Sequence, residues 1–199
     1  MNQEDISARE KLILATIACI EKEGIHSVTI RSIAKEAGVN SAAINYYFGT
    51  KDKLVEAALG RALDNAMANF EMLETGDPDR YQALREFFLH NFEGVVNYPE
   101  ITKAKLYNPF IKNEYDPETR LWLNEFLEQL SKSIQLFLPG ATGLELKITV
   151  MQIMAALIMP GIFPGLFADF MGVDLREPEN RKAYIDFLLL KYLGPLKNE

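Results

Sequence analysis

A chain of 199 residues that is 48% hydrophobic and 11% aromatic can bury a sizeable core, which excludes disorder as its general state. The formal charge of −7 excludes a generally basic, phosphate-coating protein, since affinity for phosphates rests on Lys and Arg. The lone cysteine excludes an intrachain disulfide, and two isolated histidines, His26 and His90, leave no ligand spacing for a metal site.

The first seven residues are polar and acidic, with neither a basic nor an apolar leader region, so no signal peptide is expected. A first helix is predicted over 7–23, with Gly24 just past its end. Cys19 falls on its apolar face and reads as a buried thiol. Thr29 is an N-cap for a second helix, in which Ile30, Ile33, Ala34 and Ala37 share one face. Gly38 supplies the positive φ of a sharp turn, and Val39 an apolar plug. Asn40 then caps a third short helix, with Ile44 and Phe48 as its inward stripe. Ser41, Ala42, Ala43, Asn45, Tyr46 and Tyr47 remain, small or hydrogen-bonding residues of the kind a helix needs to enter a major groove. One ring of the Tyr46/Tyr47 pair is expected to pack inward, and Tyr46 is the candidate.

A fourth helix is predicted from Thr50 to about Glu74, broken by Gly76, Asp77 and Pro78. A fifth covers 80–97, a short one lies near Lys103, and further helices cover 117–137, 144–159 and 178–193. Strand signals are nearly absent. Residues 148–168 carry no charge and reach membrane-spanning length, but Pro160, Gly161, Pro164 and Gly165 interrupt them and no aromatic or basic girdle flanks them. A buried helix or a subunit interface is expected there, not a membrane span. Residues 1–60 hold seven Lys or Arg against eight Asp or Glu, a net of −1, so the acidity sits mostly in the remainder.

Residues 9–24, 28–34, 37–40 and 46–54, through the turn Ala37, Gly38, Val39 and the ending Tyr47, Phe48, Lys51, resemble the amino-terminal domain of the tetracycline-repressor-like (TetR) family of bacterial transcription regulators. The match covers about a quarter of the chain. Asn45 stands where many members have Tyr, and Ile20 where many have Phe. The resemblance implies an all-α fold of about nine helices, with a three-helix DNA-binding domain at 1–52 and a larger effector-binding and dimerisation domain at 53–199. The third helix would read DNA: Ser41, Ala42 and Ala43 against base edges, Asn45 against an adenine or a phosphate. Thr29, Tyr47 and Lys51 would hold phosphate, and Arg31 a guanine edge or phosphate, with Asn40 and Tyr46 completing the surface.

Val150, Ile153, Leu157, Tyr184, Phe187, Leu188 and Tyr192 would form the dimer seam, because a palindrome one DNA turn long is read by two such helices. Phe88, Phe92, Tyr107, Phe110, Trp122, Phe126 and Met154 would line an effector cavity suited to an uncharged apolar or aromatic molecule. No phosphate loop, nucleophile elbow or catalytic pairing is present, so no enzyme and no cofactor is expected. The expectation is a cytoplasmic, homodimeric repressor, released from operator DNA when an effector makes its fourth helix swing. The alternative is a helical protein-interaction module whose helix-turn-helix is vestigial, a reading that the near-neutral amino-terminal region keeps open.

Overall fold

The computed structural model describes residues 7–74, 79–107, 109, 111, 113–114 and 117–194. Among them are eleven helices and no strand: α1 Ala8–Glu23, α2 Ile30–Ala37, α3 Ala42–Phe48, α4 Lys51–Ala68, α5 Glu71–Glu74, α6 Arg80–Asn97, α7 Pro99–Tyr107, α8 Pro117–Gln135, α9 Gly143–Ile162, α10 Pro164–Met171 and α11 Pro178–Leu193. The chain divides into two compact units, one running to Asn65 and taking in Glu100–Tyr107, the other formed by the remainder. The sequence boundary at 52 is therefore too early. Leu54 and Ala58, on α4, are wholly buried in the first core, and the division falls farther along that helix.

In the first unit each short helix is tied at its start by a side chain. The Ser7 hydroxyl accepts the Glu10 N–H at 3.2 Å, opening α1. Thr29 and Ser32 exchange hydroxyl and backbone hydrogen bonds, each 3.0 Å, at the head of α2. Gly38, at φ 66° and ψ 30°, takes the left-handed turn that aims α3 away from α2. Leu12, Ile20, Ile33, Ile44 and Leu54 meet in the core with no exposure at all. Cys19 is buried among them, and burial beside Glu23 and Glu36 pushes its thiol pKa up, which makes it an inert packing residue.

Helix α7 completes this unit although α6 and α8 belong to the other. Ile101 is buried in the first core. The Glu21 carboxylate accepts the N–H groups of Glu100 at 3.2 Å and Ile101 at 2.7 Å, the free donors of a helix start. Burial raises the Glu21 pKa, and those two hydrogen bonds oppose the rise.

The second unit packs α6, α8, α9 and α11 around Leu84, Phe87, Phe88, Phe92, Leu130, Ile134, Ile153 and Leu189. Helix α6 is clamped to α11 by Arg85, whose guanidinium donates to both carboxylate oxygens of Asp186. Helix α9 runs through Pro160 instead of stopping at it. Proline removes the N–H that the Ala156 carbonyl, four residues earlier, would accept. The Tyr184 hydroxyl donates to that carbonyl at 2.6 Å and makes good the loss. Beside it, a Cβ on Gly161 would stand 2.6 Å from Val95 Cγ1 and 3.1 Å from Phe92 Cε2, so only glycine lets α9 approach α6 here.

Two helices lie beyond the nine expected. The fourth helix stops at Ala68, where a turn from the Met67 carbonyl to the Phe70 N–H (3.0 Å) swings Phe70 into the core and leaves α5 separate. Pro164 starts α10, which Gly172 ends in the left-handed conformation. By length and composition α9 could cross a membrane, yet Leu146, Val150, Ile153 and Leu157 along it are buried inside the protomer.

Candidate DNA-binding interface

Helix α3 is anchored by Ile44, fully buried, and Phe48, nearly so, one turn apart. That anchor decides what the rest of the helix presents. Ser41, Ala42, Asn45, Tyr46 and Tyr47 are exposed, and Ala43 is half-buried against the core. Tyr46 is 82% exposed, which corrects its inward assignment. Two residues from both Ile44 and Phe48, it lies about 200° round the helix from the anchors. The two tyrosine rings meet edge to face at 4.8 Å, so each restrains the other. Asn40 acts just ahead of the helix, its Oδ1 accepting the Ala42 N–H at 2.8 Å, while Ser41 occupies the cap position without a side-chain bond.

Three of the expected phosphate ligands also hold the local fold. The Thr29 hydroxyl is committed to the α2 cap. Lys51 Nζ donates to the Val28 carbonyl at 3.0 Å, tying the head of α4 to the segment before α2 and leaving two ammonium donors for a phosphate. Tyr47 is only partly exposed and rests on Tyr46. Arg31 is exposed, as are Lys35 and Lys53. Arg9 was missed by the sequence reading. Its guanidinium sits 5.1 Å from the centre of the Phe48 ring, a cation–π contact at the end of α3. Helical periodicity, which reports only apolar faces, carries no signal for such a pairing.

The expected effector residues divide. Phe88 and Phe126 join Phe70 and Phe87 in one aromatic group, with ring centres 4.7 to 6.3 Å apart, and Trp122 stacks on Phe126 at 5.2 Å. Phe92 stacks instead on Tyr184 at 5.5 Å, and Met154 packs on the same core. Tyr107 does not belong with them: it stands on α7 in the first unit, its ring 4.8 Å from that of His26. Phe110 lies outside the described residues. A cleft of about 300 Å³ opens elsewhere, lined by Met72, Glu86, Leu89, His90, Glu93, Pro178, Arg181 and Lys182. Its buried guanidinium, Arg181, is spent on the carbonyls of Leu175 and Arg176 and on Glu93 at 2.9 Å.

Four of the seven residues expected at a dimer seam do not face outward. Val150, Ile153, Leu157 and Leu188 are buried in the protomer's own core and cannot meet a partner. Tyr184 and Tyr192 are half-buried against that core, and only Phe187 is exposed. The outward apolar residues are Leu144, Ile148, Met151 and Met159 on α9 and Phe187 and Leu190 on α11. They recur every three, four or eight positions, so each set makes one helical face.

A left-handed turn between two short helices, the second anchored by two residues and otherwise turned outward, defines a helix-turn-helix element. Residues 12–58 match the family described as bacterial regulatory proteins, tetR family. The chain is 40% identical over 88 residues to the HTH-type transcriptional regulator BetI of Stenotrophomonas maltophilia, a match spanning 43% of this chain and 44% of that one. It is 32% identical over 79 residues to the nicotine-responsive transcriptional repressor HdnoR of Paenarthrobacter nicotinovorans, spanning 40% and 41%. The chain thus matches less than half the length of either relative. Likeness of fold reaches farther. A transcriptional regulator from Rhodococcus sp. Rha1 superposes with a TM-score of 0.63 at 16% identity, covering 96% of this chain and 100% of that one. The TetR family regulator PfmR of Thermus thermophilus does so with 0.63 at 18%, covering 97% and 99%. The family match thus lies on the helix-turn-helix region, 12–58, and the solved regulators share the fold of nearly the whole chain.

Proposed function

We propose that the chain is a cytoplasmic transcription regulator that binds a palindromic operator as a homodimer and represses until an apolar or aromatic effector releases it. The observation that carries the reading is α3: Ile44 and Phe48 hold it, and Ser41, Ala42, Asn45 and Tyr46 face outward. Alanine methyl groups at the head of such a helix suit thymine, while Ser41 and Asn45 supply hydrogen bonds to base edges. A single α3 reaches too few base pairs to define a site, so a two-fold partner is required. The outward apolar faces of α9 and α11, with Met151 55% and Phe187 67% exposed, supply the surface for it.

The nicotine response of HdnoR brings no ligand with it, because more than half of this chain lies outside that match. Control by an effector requires only that it bind the two states of the regulator unequally, and the shift is limited to that difference. The test is fluorescence anisotropy with a duplex from the chain's own promoter against a scrambled duplex of equal length, over a range of salt. Binding confined to the promoter duplex, with Asn45→Ala changing which bases are preferred, is the expected result. Equal binding to both duplexes, or to neither, overturns the reading and leaves a helical protein-interaction module.

A further inference from the structure

Among the described residues, one buried side-chain polar atom has no hydrogen-bond partner: Nε1 of Trp122. Native proteins seldom strand a donor in this way, since its water is lost and nothing replaces it. The rest of that indole is well placed. It stacks on Phe126 with planes 26° apart, and Phe126 in turn meets Phe70 at 5.1 Å and Phe87 at 6.3 Å. The result is a cluster of aromatic rings carrying one unused N–H. The charged cleft on α6 offers no comparable feature, because Arg181 and Glu93 there already satisfy each other.

We propose that the Trp122 Nε1–H donates to the effector. The effector is therefore an uncharged apolar or aromatic molecule bearing one hydrogen-bond acceptor: a carbonyl, an ether or a pyridine-type nitrogen. The inference rests on the effector reading above and adds the chemistry of its recognition. A pure hydrocarbon leaves the N–H stranded and gains nothing from it. An ammonium ion has no acceptor to offer, so it leaves the N–H stranded even where the rings attract its charge. A carboxylate would bury a full charge against one neutral donor.

Trp122 is the only tryptophan, so ¹⁵N labelling of the full chain gives a single indole N–H resonance. The probes are two matched pairs, acetophenone with ethylbenzene and quinoline with naphthalene. The acceptor-bearing member of each pair is expected to move that resonance downfield and to bind about tenfold tighter, the usual gain from one hydrogen bond. Trp122→Phe keeps a ring on Phe126 and is expected to reduce the ratio to about one without weakening the hydrocarbons. The assignment is overturned if the members of a pair bind alike, if no probe binds, or if the free protein's indole N–H shows a persistent bound water that the probes leave in place. Anisotropy on the promoter duplex runs alongside: absence of specific DNA binding by the probe-free protein rejects the regulator reading itself. Specific binding with no difference within the pairs rejects only the role of Trp122.

Discussion

Lys105, on α7, carries its charge in a largely buried place. Burial lowers its pKa from 10.5 to about 8, and the carboxylate of Asp64 recovers only part of the loss. The folded chain therefore holds this proton less tightly than the unfolded chain does. Below pH 8 both states are charged and the folded state bears the whole penalty. Between pH 8 and 10.5 only the unfolded state stays protonated, so stability rises with pH; above that range the effect is spent. A shift of this size corresponds to about 3 kcal/mol at neutral pH. Lys105→Met keeps the length of the side chain and removes the charge. Asp64 is exposed, so its carboxylate stays hydrated when the ammonium goes. The variant is expected to be more stable at pH 7 by about 1 to 3 kcal/mol, the range allowing for the lost attraction to Asp64. Urea unfolding followed by circular dichroism at pH 7, 9 and 10.5 is the assay, and the two proteins' midpoints should converge as the pH rises. A difference that stays constant with pH, or a variant weaker at pH 7, refutes the desolvated ammonium.

Lys51→Ala should weaken binding to all duplexes alike and lower the salt slope by roughly one. Unchanged slopes in a salt titration would confine Lys51 to its bond with Val28. Tyr184→Phe should cost about 1 kcal/mol or more in chemical denaturation by stranding the Ala156 carbonyl. Adding Pro160→Ala should restore most of that cost by returning a backbone N–H to the same oxygen, and a strictly additive double mutant contradicts the account. Phe187→Asp should leave a folded monomer that no longer binds the promoter duplex, whereas Ile153→Asp should unfold the chain by burying an unpaired carboxylate. Sedimentation separates the two, and a Phe187→Asp protein that remains dimeric moves the interface elsewhere.

The helix-turn-helix was legible in the sequence because its signals are local. Thr29, Gly38, Ile44 and Phe48 do what their positions predict, and Asn40 holds the Ala42 N–H from one residue ahead of the cap position it was expected to fill. Which face of α9 is buried was not legible for the opposite reason. Around α9 nearly every residue is apolar, so periodicity offers no contrast by which to tell the core face, Val150, Ile153 and Leu157, from the outward face, Ile148, Met151 and Met159. The aromatic cluster was half legible. Composition flagged Phe88, Trp122 and Phe126, but the reading placed Tyr107 with them because it followed chain order, and chain order is broken at α7.

That break bears on how an effector could act at all. The chain passes between its two units three times: within α4, before α7 and after it. The two units are therefore joined covalently at both α4 and α7, and α7 is not a passive strap. Ile101 is part of the first core, and Glu21 holds the first free N–H groups of the helix. Moving α7 would strand those donors and the partly buried carboxylate that accepts from them, so the helix either stays seated or leaves at a definite cost. A contact with only those two options is what a switch between discrete states requires, and a loosely tethered segment would dissipate the effector's binding energy instead.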